Sequence, residues 1–190
     1  MTTYFGQTWL TPRSLTAGLL LVGFALVLVG ILQFTARVFL RAPFAAGLGY
    51  YQWERGLILA GFITLVLGLA GLTALLRQAG DPLLADSAQT ASVIATVLFV
   101  VVEVTWLTKA AVPLGLTDTL LRVAVVLAFV AQAGLGAAVL QTGLLPRWLG
   151  WFAIIWNVGG LVVLAGAADP YYPVLHILLP LLAGLLLLRR

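Results

Sequence analysis

The sequence predicts an all-α fold, a polytopic integral membrane bundle of six transmembrane helices. Three observations carry that prediction. Hydrophobic residues make up 63% of the 190 and charged residues only 8%, about a third of the charged share of an ordinary soluble domain. The mean hydropathy is +1.14, so lipid is the solvent for most of the chain. The apolar residues also fall into six runs near the ~20-residue length that carries a helix across bilayer hydrocarbon. Only helices and closed barrels satisfy their own backbone polar groups in lipid, and continuous rather than alternating runs point to helices.

The first run, about 14–36, follows Thr11-Pro12, an N-cap residue and a proline suited to the first helical position. It is longer than the apolar core of a signal peptide and is expected to be retained. The connection at 37–53 mixes Phe39, Leu40 and Phe44 with Arg37 and Arg41. Such a mixture suits a segment lying on the membrane surface, and equally an apolar loop packed on the bundle. The second run, about 54–76, is broken by Gln78-Ala79-Gly80-Asp81-Pro82, after which Asp86 or Ser87 can cap the third, about 88–108. Thr117 or Asp118 can cap the fourth, about 119–140. The fifth, about 147–166, opens at Pro146-Arg147-Trp148, and the sixth, about 173–188, runs from Pro173 to Arg189-Arg190. Loops this short leave one membrane domain, 1–190.

Composition narrows the chemistry. The absence of cysteine removes disulfides and thiolate metal sites, and the single histidine, His176, removes multi-histidine zinc or haem ligation within one chain. A net charge of +4 is too sparse for a nucleic-acid surface. No His-x-x-x-His or Glu-x-x-His spacing occurs. The three serines, Ser14, Ser87 and Ser92, are expected at depths away from the histidine, so hydrolase chemistry has little support. Arginines and lysines divide almost evenly between the two faces. The terminal Arg189-Arg190 pair favours both chain ends on the cytoplasmic side. Trp9, Trp148 and Trp151 on one face, with Tyr50, Tyr51, Trp53, Trp106, Tyr171 and Tyr172 on the other, are read as interfacial belts. Ala60, Thr64 and Gly68, and likewise Gly134 and Ala138, repeat at four-residue intervals and predict close helix packing.

The expensive residues in lipid are the informative ones. Glu103 stands inside the third run, where an unpartnered carboxylate costs about 2.5–3.5 kcal/mol on insertion scales. At 1.5 Å per residue, Glu103 falls roughly 8 Å and Arg122 roughly 5 Å beneath the same face, on helices joined by a short loop. The expectation is an intramembrane Glu103–Arg122 pair. His176, counted from Pro173, falls on that level too, and Pro180 cannot donate a hydrogen bond to its carbonyl. Gln33, Glu54 and Arg55 lie close by, with only Gln132 and Asn157 deeper. The expected polar cluster is therefore Glu103, Arg122, His176, Gln33, Glu54 and Arg55. It is either a register lock or a cavity for a head group, an ion or a small polar molecule.

The stretch Leu140-Gln141-Thr142-Gly143-Leu144-Leu145-Pro146-Arg147-Trp148-Leu149-Gly150-Trp151, followed by an apolar run and Pro173-Val174-Leu175-His176, resembles the DUF4386-type bacterial membrane proteins. The resemblance covers about the last fifty residues. It implies a multi-span protein of the bacterial inner membrane and carries no catalytic residues to transfer. Two functions are expected. The first is a non-enzymatic small or accessory subunit of a membrane complex, associating with lipids, other membrane subunits or itself. The alternative is a carrier or binder of a lipid or small hydrophobic molecule anchored by Glu103, Arg122 and His176. No cofactor is read from the sequence, and apolar pockets for lipid, pigment or quinone leave no signature in it.

Overall fold

The computed structural model describes residues 11–108, 113–166 and 176–189. Among them every regular element is helical. Helix α1 (Pro12–Val38) starts where expected: Thr11 Oγ1 accepts from the Ser14 N–H at 3.1 Å and Ser14 Oγ accepts from the Thr11 N–H at 2.9 Å, a reciprocal cap over Pro12. A short 3-10 turn at Pro43–Ala45 leads to α2 (Leu48–Gln78). Phe39, Leu40 and Phe44 are each 72% exposed, so the connection turns its apolar side chains outward rather than onto the bundle. Helix α2 begins six residues before the expected start at Glu54. An apolar-run reading stops at the Glu54-Arg55 charges, yet these are buried and paired, so the helix continues through them.

Helix α3 (Pro82–Thr108) is capped not by Asp86 or Ser87 but by Asp81, whose Oδ1 accepts from the Leu84 N–H at 3.1 Å. Helix α4 (Leu114–Thr142) opens on Pro113 without a side-chain cap, and Thr117 and Asp118 lie within its first turns. It ends at Gly143, whose φ of +63° is cheap only for glycine and whose N–H closes on the Val139 carbonyl at 3.0 Å. Helix α5 (Arg147–Gly166) matches expectation.

Helix α6 (Leu178–Leu188) is shorter than the expected 173–188 span, of which 173–175 lie outside the described residues. Its 11 residues cover about 16 Å against about 30 Å of hydrocarbon. Five helices, α1 to α5, are long and apolar enough to cross a membrane; α6 is apolar but short.

Consecutive helices pack side by side from α1 to α5, and α6 lies against α1, touching α5 lightly. Glycines bring the backbones of α1 and α2 close together. A Cβ added to Gly61 would stand 2.8 Å from the Val27 backbone nitrogen, and one added to Gly68 2.9 Å from that of Leu20. Gly23 and Gly30 repeat the arrangement from α1 towards Leu65 and Ile58. The contact pairs are thus seven residues apart. Of the expected four-residue series, Gly68 takes part while Ala60 faces outward. Gly136 and Gly150 bring α4 and α5 equally close, each facing the other's carbonyl, and Gly134 meets Ala88 of α3. Without a hydrophobic drive between helices in lipid, such backbone approach is a main source of attraction.

Candidate functional site

The intramembrane charges form a ladder across α1, α2 and α3. Arg37, in the last turn of α1, donates from Nε and Nη2 to both carboxylate oxygens of Glu54 at 2.7 and 2.8 Å. Arg55 Nε lies 3.4 Å from Glu54 Oε1. Arg55 Nη1 then donates to Glu103 Oε1 at 3.2 Å and stands 3.4 Å from Oε2. Glu54 and Glu103 are fully buried. Cation and anion alternate, so these four residues sum to zero charge.

Aromatic rings close the ladder. The Arg55 guanidinium lies 4.7 Å from the Trp106 ring centroid and 5.6 Å from those of Phe34 and Tyr51, while Arg37 sits 4.9 Å over Tyr51. The Tyr51 hydroxyl donates to the Trp106 carbonyl at 3.1 Å. Ring faces attract cations most strongly where water is scarce. Tyr51 and Trp106 therefore serve the charges rather than only an interfacial belt. Chemically the ladder is a charge-neutral tie between three helices, with Arg55 Nε held to Glu54 by charge rather than by a hydrogen bond.

The expected partner of Glu103 was Arg122; the structure puts Arg55 against it instead. Depth counting places side chains on a level but leaves their direction around the helix open, and Glu103 faces α2. Arg122 stands half-buried on α4. Gln33 stays outside the ladder: its carbonyl accepts from the Tyr50 hydroxyl at 3.3 Å, and its Oε1 is buried without a partner among the described residues.

His176 lies elsewhere. Its carbonyl, which Pro180 cannot reach as a donor, accepts from Gln132 Nε2 at 2.9 Å. Gln132 is about 15 Å in from the Thr142 end of α4 at 1.5 Å per residue. His176 is therefore deep in the bundle, not just beneath the face where Glu103 lies. The expectation assumed a helix running unbroken from Pro173, whereas α6 begins at Leu178. Irregular backbone at such depth survives only when its polar groups are satisfied by protein or face a cavity, and here both conditions hold.

The cavity, ≈ 60 Å³, lies between α2, α3, α4 and the start of α6. Its walls are mostly apolar, with Phe62, Leu65, Phe99 and Val125 among them, and its polar members are Ser92, Thr96, Gln132 and His176. Ser92 thus shares a cavity with the histidine, contrary to the depth expected for it. The His176 residue is 5% exposed. Both of its ring nitrogens, and Gln132 Oε1, are buried without a hydrogen-bond partner among the described residues. The Phe129 ring packs against the imidazole at a tilt of 42°, with centroids 4.3 Å apart, and is itself seated over Gly160 of α5. The Phe62 and Phe99 rings, 4.3 Å apart, part the cavity from Glu103, one turn beyond Phe99.

The expected cluster accordingly divides in two. Glu54, Arg55 and Glu103 meet, joined by Arg37, which had been counted only as a loop cation. His176 meets Gln132, which the sequence had placed deeper. Their shared signal was the Pro180-orphaned carbonyl, which requires a donor at its level. No family model, no characterised protein and no solved structure matches the chain.

Proposed function

We propose that this chain is an integral membrane protein that binds a small lipid-soluble molecule in the cavity between α2, α3, α4 and α6, with His176 and Gln132 as its polar anchor. One observation carries the reading: three hydrogen-bonding atoms, His176 Nδ1 and Nε2 and Gln132 Oε1, are buried without partners among the described residues beside an apolar cavity. A buried polar atom left unsatisfied costs about 1–3 kcal/mol, so grouping three of them around open space favours an occupant that bonds them. No charged side chain is among the described lining residues, which argues for a neutral molecule over an ionic head group. We read the chain as crossing the membrane six times, α6 forming half of the last crossing, with its ends in the cytoplasm.

Native mass spectrometry on the chain released from lipid nanodiscs tests this. A small apolar molecule bound to the wild type and absent from His176→Leu is the expected result. An empty cavity together with a stoichiometric membrane-protein partner would overturn it in favour of an accessory-subunit role.

A further inference from the structure

Resting on that reading of the cavity, we infer that its occupant is a neutral, single-chain molecule that donates a hydrogen bond, an aliphatic alcohol rather than a ketone, ester or ether. The donor requirement follows from how Gln132 is oriented. Its Nε2 donates to the His176 carbonyl at 2.9 Å, and a carbonyl can only accept. Turning the amide over would set oxygen against oxygen, so the assignment is forced. Gln132 Oε1 is left as an acceptor, buried and without a partner among the described residues.

The imidazole adds to the demand. Neither ring nitrogen has a partner among the described residues, and no carboxylate among the described lining residues balances an imidazolium. A neutral ring offers one N–H donor and one lone pair. Together Gln132 and His176 therefore present two acceptors, Gln132 Oε1 and one imidazole nitrogen, against one imidazole donor, while the Ser92 and Thr96 hydroxyls on α3 each carry a donor and an acceptor of their own. A carbonyl or ether oxygen satisfies the donor alone and leaves both acceptors bare. A hydroxyl accepts from the imidazole N–H and gives its proton to one of the acceptors. An ammonium would donate as well, but it would bring a charge that nothing in the described lining offsets.

Shape sets the rest of the molecule. The lining runs from Ser92 to Phe99 along α3, about 10 Å at 1.5 Å per residue. A space elongated in this way accepts an extended chain. Its polar end lies at His176 and its apolar length points towards the Phe62–Phe99 pair.

The experiment is equilibrium binding of radiolabelled decanol to the full chain in phosphatidylcholine nanodiscs, with empty nanodiscs as background. Decanol and decyl methyl ether, equal in chain and differing in the donor, serve as competitors. The expected result is saturable binding, with the alcohol competing about tenfold or more better than the ether. His176→Leu should weaken decanol by a similar factor, and His176→Asn, which keeps a donor and an acceptor, should recover most of it. Equal competition by ether and alcohol would overturn the donor inference while leaving the cavity a binding site. Absence of saturable decanol binding to a folded wild type would overturn the alcohol inference. If the nanodisc-released protein also carries no small molecule, the binding reading falls with it.

Discussion

Replacing Arg55 or Glu103 by glutamine should show that these two residues, and not Glu103 with Arg122, form the intramembrane pair. The Nη1–Oε1 distance is 3.2 Å and both side chains are nearly or wholly out of solvent. Two unit charges about 4 Å apart attract by about 4 kcal/mol at an effective dielectric constant near 20. Removing one member leaves the other buried and uncompensated, a loss of about 3–5 kcal/mol in comparable buried pairs. Glu54 softens the loss of Glu103, because it still lies 3.4 Å from Arg55 Nε, so Glu103→Gln is expected near 3 kcal/mol. Arg55→Gln strands Glu103 and should cost more.

The decisive quantity is the coupling. In a double-mutant cycle followed by tryptophan fluorescence during reversible SDS unfolding, Arg55→Gln with Glu103→Gln should show a coupling of about 2–3 kcal/mol. Arg122→Gln with Glu103→Gln should stay within about 0.5 kcal/mol of additivity. A coupling below that level for the first pair, or an equal one for the second, would refute the ladder as described.

Two further outcomes follow from the packing around His176. Gly159→Ala should be neutral or slightly stabilising, since a Cβ there meets nothing within 4 Å, whereas Gly160→Ala drives into the Phe129 ring. Overpacking of this kind costs about 1–3 kcal/mol, read as a lower midpoint of unfolding, and should also displace the ring that packs against His176. Gln132→Leu strands the His176 carbonyl and should cost about 1–3 kcal/mol. Pro180→Ala restores an N–H four residues after that carbonyl, so adding it to Gln132→Leu should recover part of the loss in the same unfolding assay. No recovery would mean that the carbonyl is not the group Gln132 satisfies.

Much of the fold was legible because lipid leaves a chain few options. The Thr11 cap, the break after Gln78, the Pro146-Arg147 start and the membrane-spanning lengths all follow from local chemistry. Caps at Asp86, Thr117 and Asp118 were misplaced because several polar residues near a helix start compete, and proline at position 82 favoured Asp81. The start of α2 was misplaced because a buried, paired charge looks the same in a sequence as an interfacial one. At the candidate site, the sequence singled out Glu54, Arg55, Glu103 and His176 by their expense in lipid. It could not pair them.

Composition and run length alone decided that the chain is a helical membrane protein, since backbone groups in hydrocarbon must bond within their own segment. The orphaned His176 carbonyl was likewise written in the chain, because proline has no N–H wherever it sits. Pairing was a matter of tertiary structure: Arg55 rather than Arg122 on Glu103, and Gln132 on the His176 carbonyl. Two residues at one depth meet only if their helices turn those faces towards each other. That rotation is decided by glycine seams such as Gly23, Gly30, Gly61 and Gly68, acting between segments that are distant in the chain.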